Sequence, residues 1–375
     1  MDKINAQYLV LNHHSLKDNR VTQLLSSQER SRKLSNFPSD PTFASIDVGS
    51  HTIRLLIARL EGNHEIAPLR LERAITRLAR NFRDGETLEA ASMDESIAVL
   101  KEYAKLINGN GARSVSCGAT GVVRRAANSG DFLAAVREST GIQASVLSES
   151  EEALLSAKGV LSALSNPQGL ILSFDLGGSS TEFLLMEAGK AEPLWSTSVF
   201  IGAATVTERY LRGDPVEASS MDRAMAAIRE ALAFVPATVR NCLDTTGISI
   251  PPFRLVGTAG TVTTLAAMFL EMTDYQPYRV NGLLLSEDWL TGAINLLARL
   301  PIASRREIPG LEKGREDIIL GGALIVREVL RGLGRNELTV TDAGLLEGLL
   351  IHLIEDEYGW PHVLGTPLTW RLQKG

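Results

Sequence analysis

The stretch from Leu170 to Met186, LILSFDLGGSSTEFLLM, admits few folds. An apolar run ends in Asp175, two glycines and three hydroxyl residues follow, and a second apolar run resumes. That periodicity predicts strand, tight turn, strand. Gly177 and Gly178 free the backbone to approach a ligand closely. Successive N–H groups in such a turn can converge on an anion. Ser179, Ser180 and Thr181 add hydroxyl donors, and Asp175 supplies a carboxylate for a hydrated cation.

The pattern recurs. Phe43 to Ile57, FASIDVGSHTIRLLI, is again an apolar strand, an aspartate (Asp47), a Gly49-Ser50 turn and a returning strand. The two aspartates stand 128 residues apart, from 47 to 175, about one domain length. Two such hairpins on duplicated halves face each other across a cleft. A third segment, Arg254 to Ala266 (RLVGTAGTVTTLA), runs strand, small-residue loop, helix, and a helix N-terminus suits an anion.

With 375 residues the chain holds two domains with ample core, and 44% hydrophobic content with a mean hydropathy of +0.04 fits a globular protein. No apolar run approaches a membrane span, and the N-terminus lacks a signal-peptide layout. A net charge of −6 argues against nonspecific nucleic-acid binding but leaves room for a locally basic cleft. Cys117 and Cys242 are isolated, so neither a disulfide framework nor a cysteine-based zinc site is expected, and the cytoplasm is the default location.

Residues 1–41 are polar and read as a poorly ordered extension, with no metal role for His13 and His14. Residues 42–165 and 166–341 read as the two domains, a final helix over 343–357 packs back on the first, and 358–375 is a tail. Ser92 and Glu95 read as a capping box for a helix from Ser92 to Asn108. Gly118 to Gly121 is a strand-to-helix turn offering Thr120 as a phosphate donor. Arg124 and Arg125 project about 100° apart on the helix that follows, so only one can face the site, and Arg124 is preferred. Ser148 to Glu151 caps a helix whose first turn holds Glu151 and Glu152. Both suit the helix dipole, and one of them, turned into the cleft, suits a general base. His51 reads as a turn residue or a proton shuttle, Arg54 as an anion contact or a solvated side chain. Tyr275 to Val280 is a loop at a substrate mouth or a plain surface turn. Gly314 to Gly332 reads as one helix, with Arg315 at its start able to face the cleft. P-loop, dinucleotide, zinc-protease and nucleophile-elbow motifs are absent from the sequence.

DxGS hairpin, EEA helix, DxGG hairpin, GTxGT loop, GRED…GGA helix and a final TDAGLLEGLL, in this order, resemble the exopolyphosphatase and guanosine pentaphosphate phosphatase family over about Thr42 to Glu357. The resemblance implies an α/β fold of two duplicated actin-like, ribonuclease H-like domains, with mixed five-stranded sheets flanked by helices and a cleft between them. It implies hydrolysis of the terminal phosphoanhydride of inorganic polyphosphate or guanosine pentaphosphate, with magnesium, or manganese in its place, and a homodimer as an open alternative. Glu152 corresponds to the family's base, with Glu151 in reserve. Asp175 corresponds to the aspartate that orients water or the metal's hydration shell, and Asp47 is its counterpart. Gly49, Ser50, Gly177, Gly178, Ser180 and Thr181 match phosphate-contacting positions, and Gly257, Thr258, Gly260 and Thr261 belong to a loop that closes around phosphates. Three positions depart from the family's pattern: His51-Thr52 after the first hairpin, Ser179 in place of a third glycine, and Ala259 in GTAGT. Rival readings are an ATP-dependent phosphotransferase on the same fold and a non-catalytic sensor of alarmones or polyphosphate.

Overall fold

The structure, a computed structural model, describes residues 40–61, 64–82, 85–165, 167–190, 192–245, 253–362 and 368–370. The expected N-terminal extension therefore lies outside the described residues but for its last two. Two six-stranded mixed sheets form the frame.

The first sheet starts as an antiparallel meander of β1 (Thr42–Val48), β2 (Thr52–Glu61) and β3 (Glu65–Ile75). β1 is buried along almost its whole length, which is why it reads as a continuous apolar run instead of an alternating one. β4 (Ser114–Ala119) lies parallel to β1, and β5 (Ala144–Val146) parallel to β4. The second sheet contains β6 (Leu170–Leu176), β7 (Thr181–Glu187), β8 (Trp195–Val199), β9 (Arg254–Thr258), β10 (Leu284–Ser286) and β11 (Glu337–Val340), in the order β10-β11-β9-β6-β7-β8. Both sheets exceed the expected five strands. β10 adds an antiparallel edge to the second, and β12 (Thr369–Trp370) pairs with the outer edge of β3 in the first. Both added strands are only two or three residues long, too short to carry a periodic signal.

Two helices lie between the sheets. The Glu149–Ser162 helix buries Ala157, Val160 and Leu161 against Ile171, Leu184, Met186 and Val256 of the second sheet. The Leu345–Tyr358 helix lies on the first sheet, where the Ser45 hydroxyl donates to the Leu346 carbonyl at 2.7 Å. Where the two helices cross, glycine is required. A Cβ on Gly159 would lie 1.8 Å from the Gly344 carbonyl oxygen, and one on Gly348 1.8 Å from that of Leu155. The outer faces of the sheets are covered by separate cores, one under the Ala90–Gly109 and Ser129–Thr140 helices, the other under the helices that follow β8, β9 and β10.

Local expectations differ in two places. Ser92 is wholly buried within the Ala90–Gly109 helix, which starts two residues earlier with Glu89 at its cap position, so the expected capping box is absent. The helix expected from Gly314 begins only at Ile319. Gly314 takes a positive φ of 88°, and residues 315–318 form turns ahead of the first helical residue. Among the described residues, no helix is long and apolar enough to cross a membrane.

Candidate active site

The two hairpins are built alike. In the first, the Gly49 amide donates to the Thr52 carbonyl at 3.0 Å. In the second, the Gly177 amide donates to the Ser180 carbonyl, also at 3.0 Å. Asp47 stands directly opposite Arg54 in the first ladder, and Asp175 directly opposite Glu182 in the second. Both pairs carry the same 128-residue offset, so equivalent positions hold opposite electrostatic solutions. Asp47 accepts from Arg54 Nη2 at 3.0 Å and Nε at 3.3 Å. Asp175 faces a second carboxylate.

That difference sets the electrostatics of the site. Burial, then repulsion from Glu182, pushes the Asp175 carboxyl up to about 7, with Arg54 opposing and Asp47 and Glu152 adding to the rise. Burial also raises Glu182, against hydrogen bonds from Ser180 and Ser198. For Arg54, burial works against the charge, but Asp47, Glu347 and Asp342 outweigh it and hold the guanidinium firmly protonated. Glu347 is pushed up to about 7 by burial, with Arg54 pulling the other way. Carboxylates from β1, β6, β7, the end of β11 and both inter-sheet helices thus act on one another, with Arg54 acting on Asp47, Asp175, Asp342 and Glu347, so both hairpin aspartates belong to one electrostatic site.

The two adjacent glutamates separate cleanly. Glu151 is exposed and completes a capping box: its carboxylate accepts from the Ser148 amide at 2.8 Å, and its own amide donates to the Ser148 hydroxyl at 3.2 Å. Glu152, on the next position of the helix, turns inward and accepts from Arg124 Nη1 at 2.8 Å. The same guanidinium nitrogen is fixed by the Leu147 carbonyl at 2.8 Å, so Arg124 is aimed before it meets the carboxylate. Burial raises Glu152 above the ordinary carboxylate range, while the hydrogen bond and charge of Arg124 limit the rise. Arg125 is exposed and donates back to the Gly121 carbonyl.

The turns are braced from behind. The Ser50 hydroxyl accepts from the Val122 amide at 3.3 Å, joining the first hairpin to the turn that carries Thr120, itself buried. The Gly177 and Gly178 carbonyls accept amides of Ala203, Ala204 and Thr205 at the start of the Ala203–Tyr210 helix. Gly202 permits that approach, since a Cβ there would lie 2.5 Å from Gly178 backbone atoms. Ser179 is exposed at the tip with no positive φ, so its side chain is accommodated without backbone strain. Ala259 is different: it sits at φ 71°, in the left-handed region.

Several expected phosphate contacts are instead structural. Thr181 is fully buried and donates to the Ile201 carbonyl at 2.6 Å. Thr258 donates to the Ala343 carbonyl at 3.0 Å, tying the third loop to the chain that leaves β11. The Thr261 hydroxyl is buried, and Gly257 is packed among Leu338, Phe174 and Val262. Ala259 and Gly260 are the half-buried residues of this loop, and the Arg315 guanidinium lies directly over Gly260. Arg315 and Arg73 of β3 both pair with Glu312, a charge bridge that joins the first sheet to the third loop. His51 lies close enough to Arg77 and Arg315 that they, after burial itself, push its imidazole toward neutrality.

Three acidic residues of the site were not anticipated from sequence: Glu182, Asp342 and Glu347. Glu182 carried a signal, since it occupies in the second hairpin the position of Arg54 in the first. Asp342 is raised by burial and opposed by Arg54, the Tyr275 hydroxyl and Arg73, which brings Tyr275 to the cleft.

A family model described as the Ppx/GppA phosphatase family matches residues 56–357. Exopolyphosphatase 2 of Mycobacterium tuberculosis is 30% identical over 322 residues, spanning 83% of this chain and 98% of that protein. A bifunctional 3-dehydroquinate synthase/phosphatase of Fusobacterium nucleatum is 27% identical over 321 residues, and there the chain spans 47% of the relative's length. A crystal structure of the Aquifex aeolicus Ppx/GppA family member superposes with a TM-score of 0.73 at 28% identity, over 85% of this chain and 99% of that one. An exopolyphosphatase from Cytophaga hutchinsonii shares the fold, with a TM-score of 0.72 at 23% identity. With an actin-like two-domain fold and a family pattern matched over most of its length, this chain belongs to the Ppx/GppA phosphatase family.

Proposed function

We propose that the chain hydrolyses the terminal phosphoanhydride bond of inorganic polyphosphate or guanosine pentaphosphate. The observation that carries this reading is the position of Glu152: half-buried, held by Arg124, and close enough to both hairpin aspartates to feel and exert their charge. Its Oε atoms accept a proton from a water molecule whose oxygen attacks the terminal phosphorus. The bridging P–O bond breaks, one orthophosphate leaves, and the shortened chain keeps the bridging oxygen. Backbone amides at the hairpin tips, around Ser50 and Gly178 to Ser180, orient the phosphoryl oxygens, since the Gly49 and Gly177 amides already close their own turns. Arg315, over Gly260, takes up charge further along the polyphosphate. Positioning and electrostatics do most of the work in such a transfer.

The carboxylate set fits a hard divalent cation such as magnesium, with manganese as its substitute. Asp175 and Glu182 face each other with no salt-bridge partner among the described residues, and a divalent ion would relieve the repulsion between them. Asp47, neutralised by Arg54, is the weaker ligand of the expected pair. When bound, the ion neutralises phosphoryl oxygens and favours their in-line alignment.

Glu152→Gln is expected to remove most turnover, by 10²-fold or more on the scale typical of a general base, while polyphosphate binding persists. Phosphate release from long polyphosphate, guanosine pentaphosphate and ATP, compared at equal concentration of chain ends with magnesium present, reads both rate and preference. Because burial raises Glu152, the acid limb of the wild-type rate profile lies above the ordinary carboxylate range, and the rate falls as pH drops through it. Full turnover in Glu152→Gln rules the assignment out.

A further inference from the structure

The last long helix and the turn after it gather a second set of metal-ligating side chains. His352 and Glu355 stand three residues apart, on adjacent turns of one helix face. Gly359, in the left-handed conformation at φ 61°, reverses the chain and returns His362 over them. The two imidazole rings lie 4.4 Å apart between centroids. One ligand atom each from His352, Glu355 and His362 lies within 4.8 Å of the others.

The hydrogen bonding decides which nitrogens face the centre. Asp356 lies 3.0 Å from Nε2 of His362 and 3.6 Å from Nε2 of His352. At 3.0 Å Asp356 accepts the Nε2 proton of His362, the outer-sphere arrangement that metal-bound histidines use, whereas the 3.6 Å contact to His352 is beyond hydrogen-bond reach; a metal on Nδ1 of His362 takes the place of the proton between that nitrogen and Glu355. Nδ1 of His362 lies 2.9 Å from Glu355 Oε2. Nδ1 of His352 and Oε1 of Glu355 are both buried with no hydrogen-bond partner among the described residues, and the Glu355 side chain is only 1% exposed. A cation already sits here: the Lys158 ammonium pairs with Glu355 and lies 3.4 Å from Nδ1 of His362.

We propose that His352, Glu355 and His362 form a binding site for a zinc-class divalent cation, with Asp356 orienting the His362 imidazole and Lys158 filling the cation's place when metal is absent. Two imidazoles and one carboxylate are the donor set that zinc, cobalt(II) or nickel(II) selects, whereas magnesium prefers oxygen alone. Bonds of about 2.0–2.2 Å place tetrahedral ligands about 3.4 Å apart, so side-chain rotations that also withdraw the Lys158 ammonium close the set. A water molecule completes the coordination on the exposed side. Bound metal ties the turn after Gly359 to the helix.

Cobalt(II) chloride titrated into the full-length protein with excess magnesium tests the site. One equivalent is expected to bind with the intense visible bands of tetrahedral cobalt(II), be displaced by zinc chloride, and raise the thermal midpoint. His362→Ala and His352→Ala are expected to weaken binding more than the roughly 10–100-fold loss typical of an outer-sphere change. Lys158→Met is expected to strengthen it, because the competing ammonium is gone. Should that variant fold poorly, recovery of its midpoint on adding zinc supports the site equally. Absence of the tetrahedral bands overturns the proposal. So does cobalt binding that survives His362→Ala, or that is lost in Asp175→Asn, which would move the metal to the cleft.

Discussion

Ala259 is the residue whose backbone and chemistry disagree most openly. It holds φ 71° at the start of the Ala259–Phe269 helix, where a Cβ is crowded. An L-residue in this region bears roughly 1–2 kcal/mol of strain. Ala259→Gly relieves it but makes the unfolded chain looser, which costs about 0.4–1 kcal/mol. The expected net gain is about 1 kcal/mol, read as a higher denaturant midpoint at unchanged slope. An unchanged or lower midpoint contradicts the strain. The sequence marked this position through alanine standing where the family's loop has glycine, but only the backbone angle tells that the departure carries a cost. Ser179, the parallel departure in the second hairpin, takes no positive φ. Other residues were misread because their direction is tertiary. Thr181 and Thr258 look like phosphate donors in a loop motif, yet carbonyls of Ile201 and Ala343 from distant segments claim their hydroxyls. Glu151 and Glu152 are indistinguishable as letters. The cap at Ser148 takes one and leaves the other to the cleft.

At the scale of elements, the hairpins were legible because everything that makes them is local: apolar runs, an aspartate at the strand end, glycines in the turn. Glu182 was missed for the same reason it matters, since it lies within what reads as a returning apolar strand and gains meaning only from its partner across the ladder. The two inter-sheet helices are the element pair on which the cleft depends. Their backbones touch at Gly159 and Gly348, and one bears Glu152, the other Glu347. Gly348→Ala drives a methyl into the Leu155 carbonyl and is expected to cost about 1–3 kcal/mol, as overpacking does. It is also expected to lower turnover through a displaced Glu152. Chemical denaturation and phosphate release on the same sample separate the two effects, and a variant unchanged in both contradicts the close crossing. Glycine at these positions could not be read as a contact from sequence, because helix-interior glycine has no partner until a second helix arrives.

For the whole molecule, the chain's path matters more than either sheet. After β11 it leaves the second sheet, and the Leu345–Tyr358 helix covers the first, where Leu345 and Leu349 join Leu147 and Leu155. Removing residues 345–375 is expected to abolish a cooperative thermal transition, because the first sheet loses a buried face while the second loses little. A retained sharp transition, with near-ultraviolet dichroism intact, contradicts this. The matched hairpins have a last consequence. A rod-shaped polyanion lying between two identical walls could enter either way round. Here one wall balances its own charge and the other carries two like charges that invite a counterion. The cavity is therefore polar in the sense that a battery is, and a guest with a distinct tip and tail has one way to sit in it.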